Sequence, residues 1–357
     1  MVLDSEFIVR LLYIIFLGAG ISCAITPLVK WLAGKVGAMD IPKDKRRMHD
    51  KPIPRMGGLG IFLGFMISFL VFGEVNTELR GILIGAVVIV VLGIVDDIKT
   101  LHALPKFFVQ IIAAVIVVVH GCRIEQVLGW EMPVWLSYTA TVIWIVMITN
   151  AVNFIDGLDG LAAGVSAISA GSMLVVALML LPEGNATVSA MVLAAILGGC
   201  IGFIPYNFNP ASIFMGDTGS TFLGFMLASV SVFGLFKTYA MISFAVPFLV
   251  LGLPLFDICF AVIRRLAKGQ SPMHADRGHV HHRLIDMGFS QKQAVAISYL
   301  ITVVLGLCAV VMTDKGEIQA LIFLAALVLV GTLGLQLFFI KHHHKKQEED
   351  QKNDKED

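Results

Sequence analysis

Five aspartates, Asp96, Asp97, Asp156, Asp159 and Asp217, stand at the ends of long apolar runs. Unpaired carboxylates gathered at one depth would repel one another and take up protons. A hard divalent cation relieves that repulsion, and oxygen donors suit Mg²⁺, with Mn²⁺ as a substitute. Too few histidines lie among the aspartates, and no cysteines are suitably placed, for a structural zinc site. The basic complement is a loop with His279, His281, His282 and Arg283, joined by Lys51, Arg55 and Lys106. Carboxylates and a metal beside cationic and imidazole donors are the pattern for binding a diphosphate and stabilising charge in phosphoryl transfer. Asn150, Asn153 and Asn207 belong to the same polar clusters. Glycines in DGLDGLAAG (156–164) and MGDTGS (215–220) allow tight turns and close backbone approach to phosphate.

Each cluster taken alone has a plainer reading. Asp96 and Asp97 would fit a solvated helix end, although carboxylates at a helix C-terminus oppose the macrodipole. DGLDG would fit a turn or a calcium-like loop, but it lacks the further ligands of an EF-hand. The histidine loop would fit a pH sensor, and Asp217 a helix cap. Asp257, inside an apolar run, reads as a structural partner of Arg264 or Arg265. What removes the plainer readings is that all the clusters fall on one side of a membrane.

The elements that must position these residues are membrane spans. The 357 residues are 57% hydrophobic and 15% charged, against about 45–50% and about 25% in soluble domains. The excess lies in runs of roughly 17–25 residues, enough to cross a bilayer as helix. They are apolar all round, without the alternation of a β-barrel. An all-α polytopic membrane protein of about eleven transmembrane helices is expected. The spans fall near 7–29, 57–73, 81–95, 105–120, 135–149, 161–181, 187–204, 219–236, 241–263, 293–313 and 318–340. Residues 1–340 form a single transmembrane catalytic domain, and 341–357 a disordered, charged cytoplasmic tail.

Lys and Arg cluster after the first span, after the ninth and in the tail, while the alternate loops are poor in them. That places the N-terminus outside and the C-terminus in the cytoplasm. Every polar cluster named above then maps to the cytoplasmic face. The first run follows Asp4 and Glu6 and is long enough to span, so no cleavable signal peptide is expected. The five cysteines are scattered as small hydrophobes. Gly60/Gly64, Gly81/Gly85 and Gly198/Gly202 are small-xxx-small pairs for close helix packing. Pro247, Gly252 and Pro254 should bend the ninth span. With 26 basic and 26 acidic residues, charge gives no sign of a nucleic-acid partner.

In order and spacing, HDKPIPRMGG (49–58), DD (96–97), NFIDGLDGLA (153–162), FNPASIFMGDTGS (208–220) and SPMHADRGHVHHRL (271–284) resemble the polyprenyl-phosphate N-acetylhexosamine-1-phosphate transferases, glycosyltransferase family 4. The ordered set is far more specific than any one motif. The resemblance implies transfer of a sugar 1-phosphate from a UDP-sugar to a polyprenyl phosphate, with release of UMP. It implies Asp217 as direct Mg²⁺ ligand, with Asp156 also assigned to the metal. Asp96 and Asp97 would handle the lipid phosphate, one as base; direct attack assisted by Asp97 is favoured over an aspartyl-phosphate intermediate. Asn153, Asp156 and Asp159 would lie near the nucleotide and diphosphate, and Asn207 and Phe214 in the uracil pocket. His279, His281, His282 and Arg283 look like the loop that holds the diphosphate and sugar, with His279 counted as catalytic. Lys99 departs from the pattern, so Lys106 is the better basic candidate, with Lys51 and Asn150 as further binding residues. The ninth helix would help form the groove for the lipid tail.

The run His279-Val280-His281-His282-Arg283-Leu284 is like that of the branch that uses UDP-GlcNAc to begin teichoic acid or related surface polymers. The branch using UDP-MurNAc-pentapeptide for peptidoglycan, the alternative, carries three adjacent histidines. The expected partners are UDP-GlcNAc, undecaprenyl phosphate and membrane lipid in a bacterial plasma membrane. The oligomeric state is left open, a homodimer being one arrangement. An ion-coupled transporter is the rival of another class; it would spread polar residues across the membrane depth rather than crowd them at one end.

Overall fold

The computed structural model describes residues 4–42, 51–127, 130–181, 185–235, 242–267, 279–315 and 325. The eleventh expected span, the tail and its boundary at 340/341, and His274, Asp276 and Arg277 lie outside the described residues.

The first eight apolar runs form helices: α1 (Ser5–Val36), α2 (Gly58–Phe72), α3 (Thr77–Lys99), α4 (Ala103–Val119), α5 (Val134–Ile155), α6 (Leu161–Met179), α7 (Ala186–Asn207) and α8 (Gly216–Val230). A π-helical turn, Ser231–Leu235, continues α8. The ninth expected span is two helices, α9 (Ile242–Val250) and α10 (Gly252–Ala267). The break falls at Leu251, between Pro247 and Pro254, where proline rings deny the helix its backbone donors. After α10 come a short α11 (Val280–Asp286) and α12 (Gln291–Lys315). Two small antiparallel pairings lie in loops: β1 (Met39–Asp40) with β2 (Ile53–Pro54), and β3 (Gln126–Val127) with β4 (Trp130–Glu131).

Among the described residues, six helices are long and apolar enough to cross a membrane: α1, α3, α5, α6, α7 and Gln291–Thr313 of α12. Large side chains such as Phe16, 71% exposed, stand on the outer surface, as lipid-facing positions do. The centre is α8. All its residues except Asp217 are buried, and it packs against α3, α5 and α2. The glycine pairs work as expected. A Cβ on Gly64 would meet the Gly18 carbonyl of α1 at 2.6 Å, and one on Gly202 the Ala19 carbonyl at 2.2 Å.

The described parts of five junctions meet at one end of this bundle: 37–42 with 51–57, 100–102, 156–160, 208–215 and 279–290. Hydrogen bonds tie the described parts of three of them together and reach the first residue of α12. Phe214 donates its N–H to the Pro54 carbonyl, the Ala211 N–H meets Asp159, and Asn209 reaches Gln291. At the opposite end Asn185, at the start of α7, bonds Glu78 and the Phe233 carbonyl.

Candidate active site

The site begins with the meeting of α3 and α8. Gly93 lets them touch, since a Cβ there would lie 2.4 Å from Thr218 Cα. Asp97, at the end of α3, is thereby brought to the start of α8. Its Oδ1 accepts the Asp217 N–H at 3.0 Å. Its Oδ2 accepts the Thr218 N–H at 3.1 Å and the Thr218 hydroxyl at 2.7 Å. Arg55 adds an ion pair at 3.2 Å. The macrodipole objection to these carboxylates is thus answered: Asp97 faces the positive end of a second helix. Asp97, rather than Asp217, caps α8.

Asp217 projects from the first turn of α8, its side chain 17% exposed. Lys106 contacts its Oδ2, and Arg55 stands 4.0 Å from its Oδ1. Lys106 also reaches Asp96 Oδ2 at 3.2 Å, while Asp96 Oδ1 takes the Leu101 N–H at 2.7 Å. Arg55 is delivered by backbone lacing: Arg55 N–H bonds Ala38 O, and Gly57 N–H bonds Phe214 O, each at 2.9 Å. Burial disfavours the Arg55 charge, but Asp97, Asp217, Asp40 and Asp96 outweigh it and raise its pKa.

Asp217 opens into a cavity of about 370 Å³, shared with Asn153, Asp156, Asp159, Asn207, Phe214 and His282. Asp156 follows α5 directly. Burial, then the charges of Asp217 and Asp97, push its carboxyl up to about 8. Asp159 holds Asn209 and the Ala211 N–H at 2.9 Å each, bracing the 208–215 loop. Asn207 is nearly buried and spans Gly160 N–H and Ile213 O at 3.1 and 3.0 Å. Asn207, expected in a uracil pocket, thus serves as a structural brace.

A second cavity, about 540 Å³ and mostly apolar, runs between α4, α5 and α10. Lys106, Asn150, Asn153 and Arg265 are its polar members. Asn150 pairs with Gln110, donating at 2.6 Å to its carbonyl oxygen. Asn153 lines both cavities, and its Nδ2 donates to Ser220 Oγ at 3.2 Å.

Other expected residues stand back. Lys51 and Arg283 are exposed, and neither lines a cavity described above. His279 and His281 are buried and are likewise absent from both linings; His282 carries the loop to the cavity. Asp257, expected to partner Arg264 or Arg265, pairs with His279, its Oδ2 meeting Nδ1 at 2.7 Å. Asp40, Ser220 and Gln291 also line the nucleotide-sized cavity. Ser220 closes the MGDTGS motif without having been singled out, whereas Asp40 and Gln291 are ordinary in sequence and arrive only by packing.

A metal must be judged against this donor set. Among the described residues, no three His, Cys, Asp or Glu side chains form a ready metal cage. Asp217, Asp156 and Asn153, whose side chains carry oxygen donors, do line one cavity. That suits Mg²⁺, which takes one or two carboxylates and completes its shell with substrate phosphates and water.

The model for glycosyl transferase family 4 matches residues 79–235. A probable undecaprenyl-phosphate N-acetylglucosaminyl 1-phosphate transferase of Bacillus subtilis (strain 168) is 41% identical over 297 residues, 81% of each chain. The chain belongs to glycosyl transferase family 4. Within this family it is also similar to the decaprenyl-phosphate N-acetylglucosaminephosphotransferase of Mycobacterium tuberculosis (strain ATCC 25618 / H37Rv), 33% identical over 76% of this chain and 75% of that one. An undecaprenyl-phosphate alpha-N-acetylglucosaminyl 1-phosphate transferase of Salmonella typhi is 31% identical over 78% and 77%. Membership and the six apolar helices make this a multi-pass membrane transferase.

Proposed function

We propose that the protein transfers GlcNAc 1-phosphate from UDP-GlcNAc to undecaprenyl phosphate, giving undecaprenyl-diphosphate-GlcNAc and UMP. The observation that carries this is the junction at Asn153. A carboxylate-lined polar cavity and an apolar groove share that residue as a wall. A nucleotide sugar suits the first, and a prenyl tail the second. The names of the relatives support the same donor and acceptor.

In this reading an acceptor phosphate oxygen attacks the β-phosphorus, a P–O bond forms, and the bond to the α-phosphate breaks as UMP leaves. Lys106, in the groove and beside Asp96, holds the acceptor phosphate. Asp97 was the favoured assistant, but its oxygens already serve Asp217, Thr218 and Arg55. We therefore assign assistance to Asp96 and positioning to Asp97. Asp217, Asp156 and Asn153 would hold Mg²⁺, which when bound neutralises diphosphate charge. His282 reaches the diphosphate from α11.

The reading includes about eleven spans, the N-terminus outside and the site on the cytoplasmic face, as the Lys and Arg distribution supports. The His279–Leu284 run supports a product destined for teichoic acid or a related surface polymer. Purified protein given UDP-GlcNAc, Mg²⁺ and undecaprenyl phosphate should release UMP. Release from no UDP-N-acetylhexosamine would overturn the proposal; release from UDP-MurNAc-pentapeptide alone would favour the peptidoglycan branch.

A further inference from the structure

Asp257 lies within α10, 2% exposed. Both its oxygens point to one short stretch. Oδ2 meets His279 Nδ1 at 2.7 Å, and Oδ1 accepts the Val280 N–H at 2.7 Å. His279 stands at the N-cap of α11 with no side-chain cap bond of its own. Asp257 therefore performs the capping from another helix, satisfying an N–H that the first turn leaves open.

From this mount the three imidazoles part company. The His279 ring lies parallel to that of His281, centroids 5.9 Å apart, and 5.5 Å from Phe154. His281 lies against Gly157, where a Cβ would come 2.3 Å from its Nε2. His282 is the histidine that lines the polar cavity. Meanwhile α10 places Ile258, Val262 and Arg265 in the apolar groove. One carboxylate thus ties the groove wall to the helix that bears His282.

We propose that Asp257 is a positioning residue: it fixes His279 and the first turn of α11 so that His282, not His279, is the imidazole presented to the diphosphate. The identity of that ligand rests on the function proposed above; the mounting of α11 does not. A carboxylate accepts the Val280 N–H on one oxygen and, on the other, holds His279 in the tautomer whose Nδ1–H donates. An amide supplies a single acceptor oxygen and turns its NH₂ toward the other donor.

The test uses full-length protein in detergent with UDP-GlcNAc, Mg²⁺ and undecaprenyl phosphate, comparing Asp257→Asn, His282→Asn and the double variant. Misplacing a substrate contact by an ångström costs about 100-fold, so kcat/KM for UDP-GlcNAc should fall by about that factor in each single variant. The double variant should fall no further, because both changes remove the same contact. KM for undecaprenyl phosphate should hold. Amide hydrogen exchange over 280–286 should rise in Asp257→Asn and not in His282→Asn. Should Asp257→Asn fail to fold, Asp257→Ser keeps one acceptor and is read in the same way. Multiplicative losses, unchanged exchange, or full activity in His282→Asn would overturn the proposal. Absence of UMP release by the wild type would instead count against the proposed reaction, and the exchange measurement would still decide the role of Asp257.

Discussion

Asp97 accepts both the N–H and the hydroxyl of Thr218, so a carboxylate ending α3 caps the start of α8. Its side chain is fully buried against Arg55. Asp97→Ala would leave that guanidinium and three hydrogen-bond donors without their acceptor, a loss of about 3–5 kcal/mol for a broken buried pair. Thr218→Val removes one hydroxyl bond and should cost about 1–2 kcal/mol. Thermal unfolding in detergent should rank wild type above Thr218→Val above Asp97→Ala. Equal stability of Asp97→Ala and wild type would refute the cap.

The same contact makes Gly216 irreplaceable. It has φ +70, and a Cβ would lie 2.4 Å from Asp97 Oδ2. Gly37 has a similar φ of +77 with nothing within 4 Å. Gly37→Ala should therefore cost only the backbone strain, about 1 kcal/mol. Gly216→Ala should cost clearly more in melting temperature and should also reduce transfer, because the clash moves Asp97 and Asp217 together. A matching effect of the two substitutions would show that the contact carries no weight.

These relationships mark how far the sequence could be read. Hydropathy alone located α1 to α8, and the proline positions foretold the break after α9. The clusters around Asp96, Asp156 and Asp217 met at one end, as loop charges had required. Division of labour was not legible. Asp97 and Asp159 are used largely to hold backbone, and the three histidines point to different neighbours. Such roles depend on which helix ends touch, through Gly93, Gly157 and Gly216, and a linear pattern does not record that. Arg55 was visible as a nearby cation, but its place between Asp97 and Asp217 required the backbone lacing of 54–58 to 214–215.

Lys106 bridges Asp96 and Asp217, occupying the carboxylate assigned to the metal. Lys106→Gln should leave two nearby carboxylates without their shared cation. Without divalent ions the variant should melt below wild type. Adding Mg²⁺ or Mn²⁺ should raise its melting temperature by more than it raises that of wild type, because a ligand that binds the folded state stabilises it by mass action. Titrating Mn²⁺ against melting temperature, without substrate, reads this directly. Identical metal responses would argue that Asp217 is not a ligand.

His281 supplies the pH dependence. Burial first, and then the charge of His282, push its imidazole down to about 3, so the folded protein holds it neutral. The unfolded chain takes up a proton there below the usual value of about 6.5. Its contribution to stability is thus complete above about pH 6.5 and is lost as pH falls toward 3, by at most about 1.4 kcal/mol per pH unit. His281→Gln removes that proton uptake while keeping a polar side chain against Gly157. Melting temperatures taken between pH 7.5 and 5 should fall less steeply in the variant, although it starts lower. The difference between the two curves isolates His281, because every other group is the same in both proteins. Parallel curves would mean that His281 is charged in the folded state or reaches water freely.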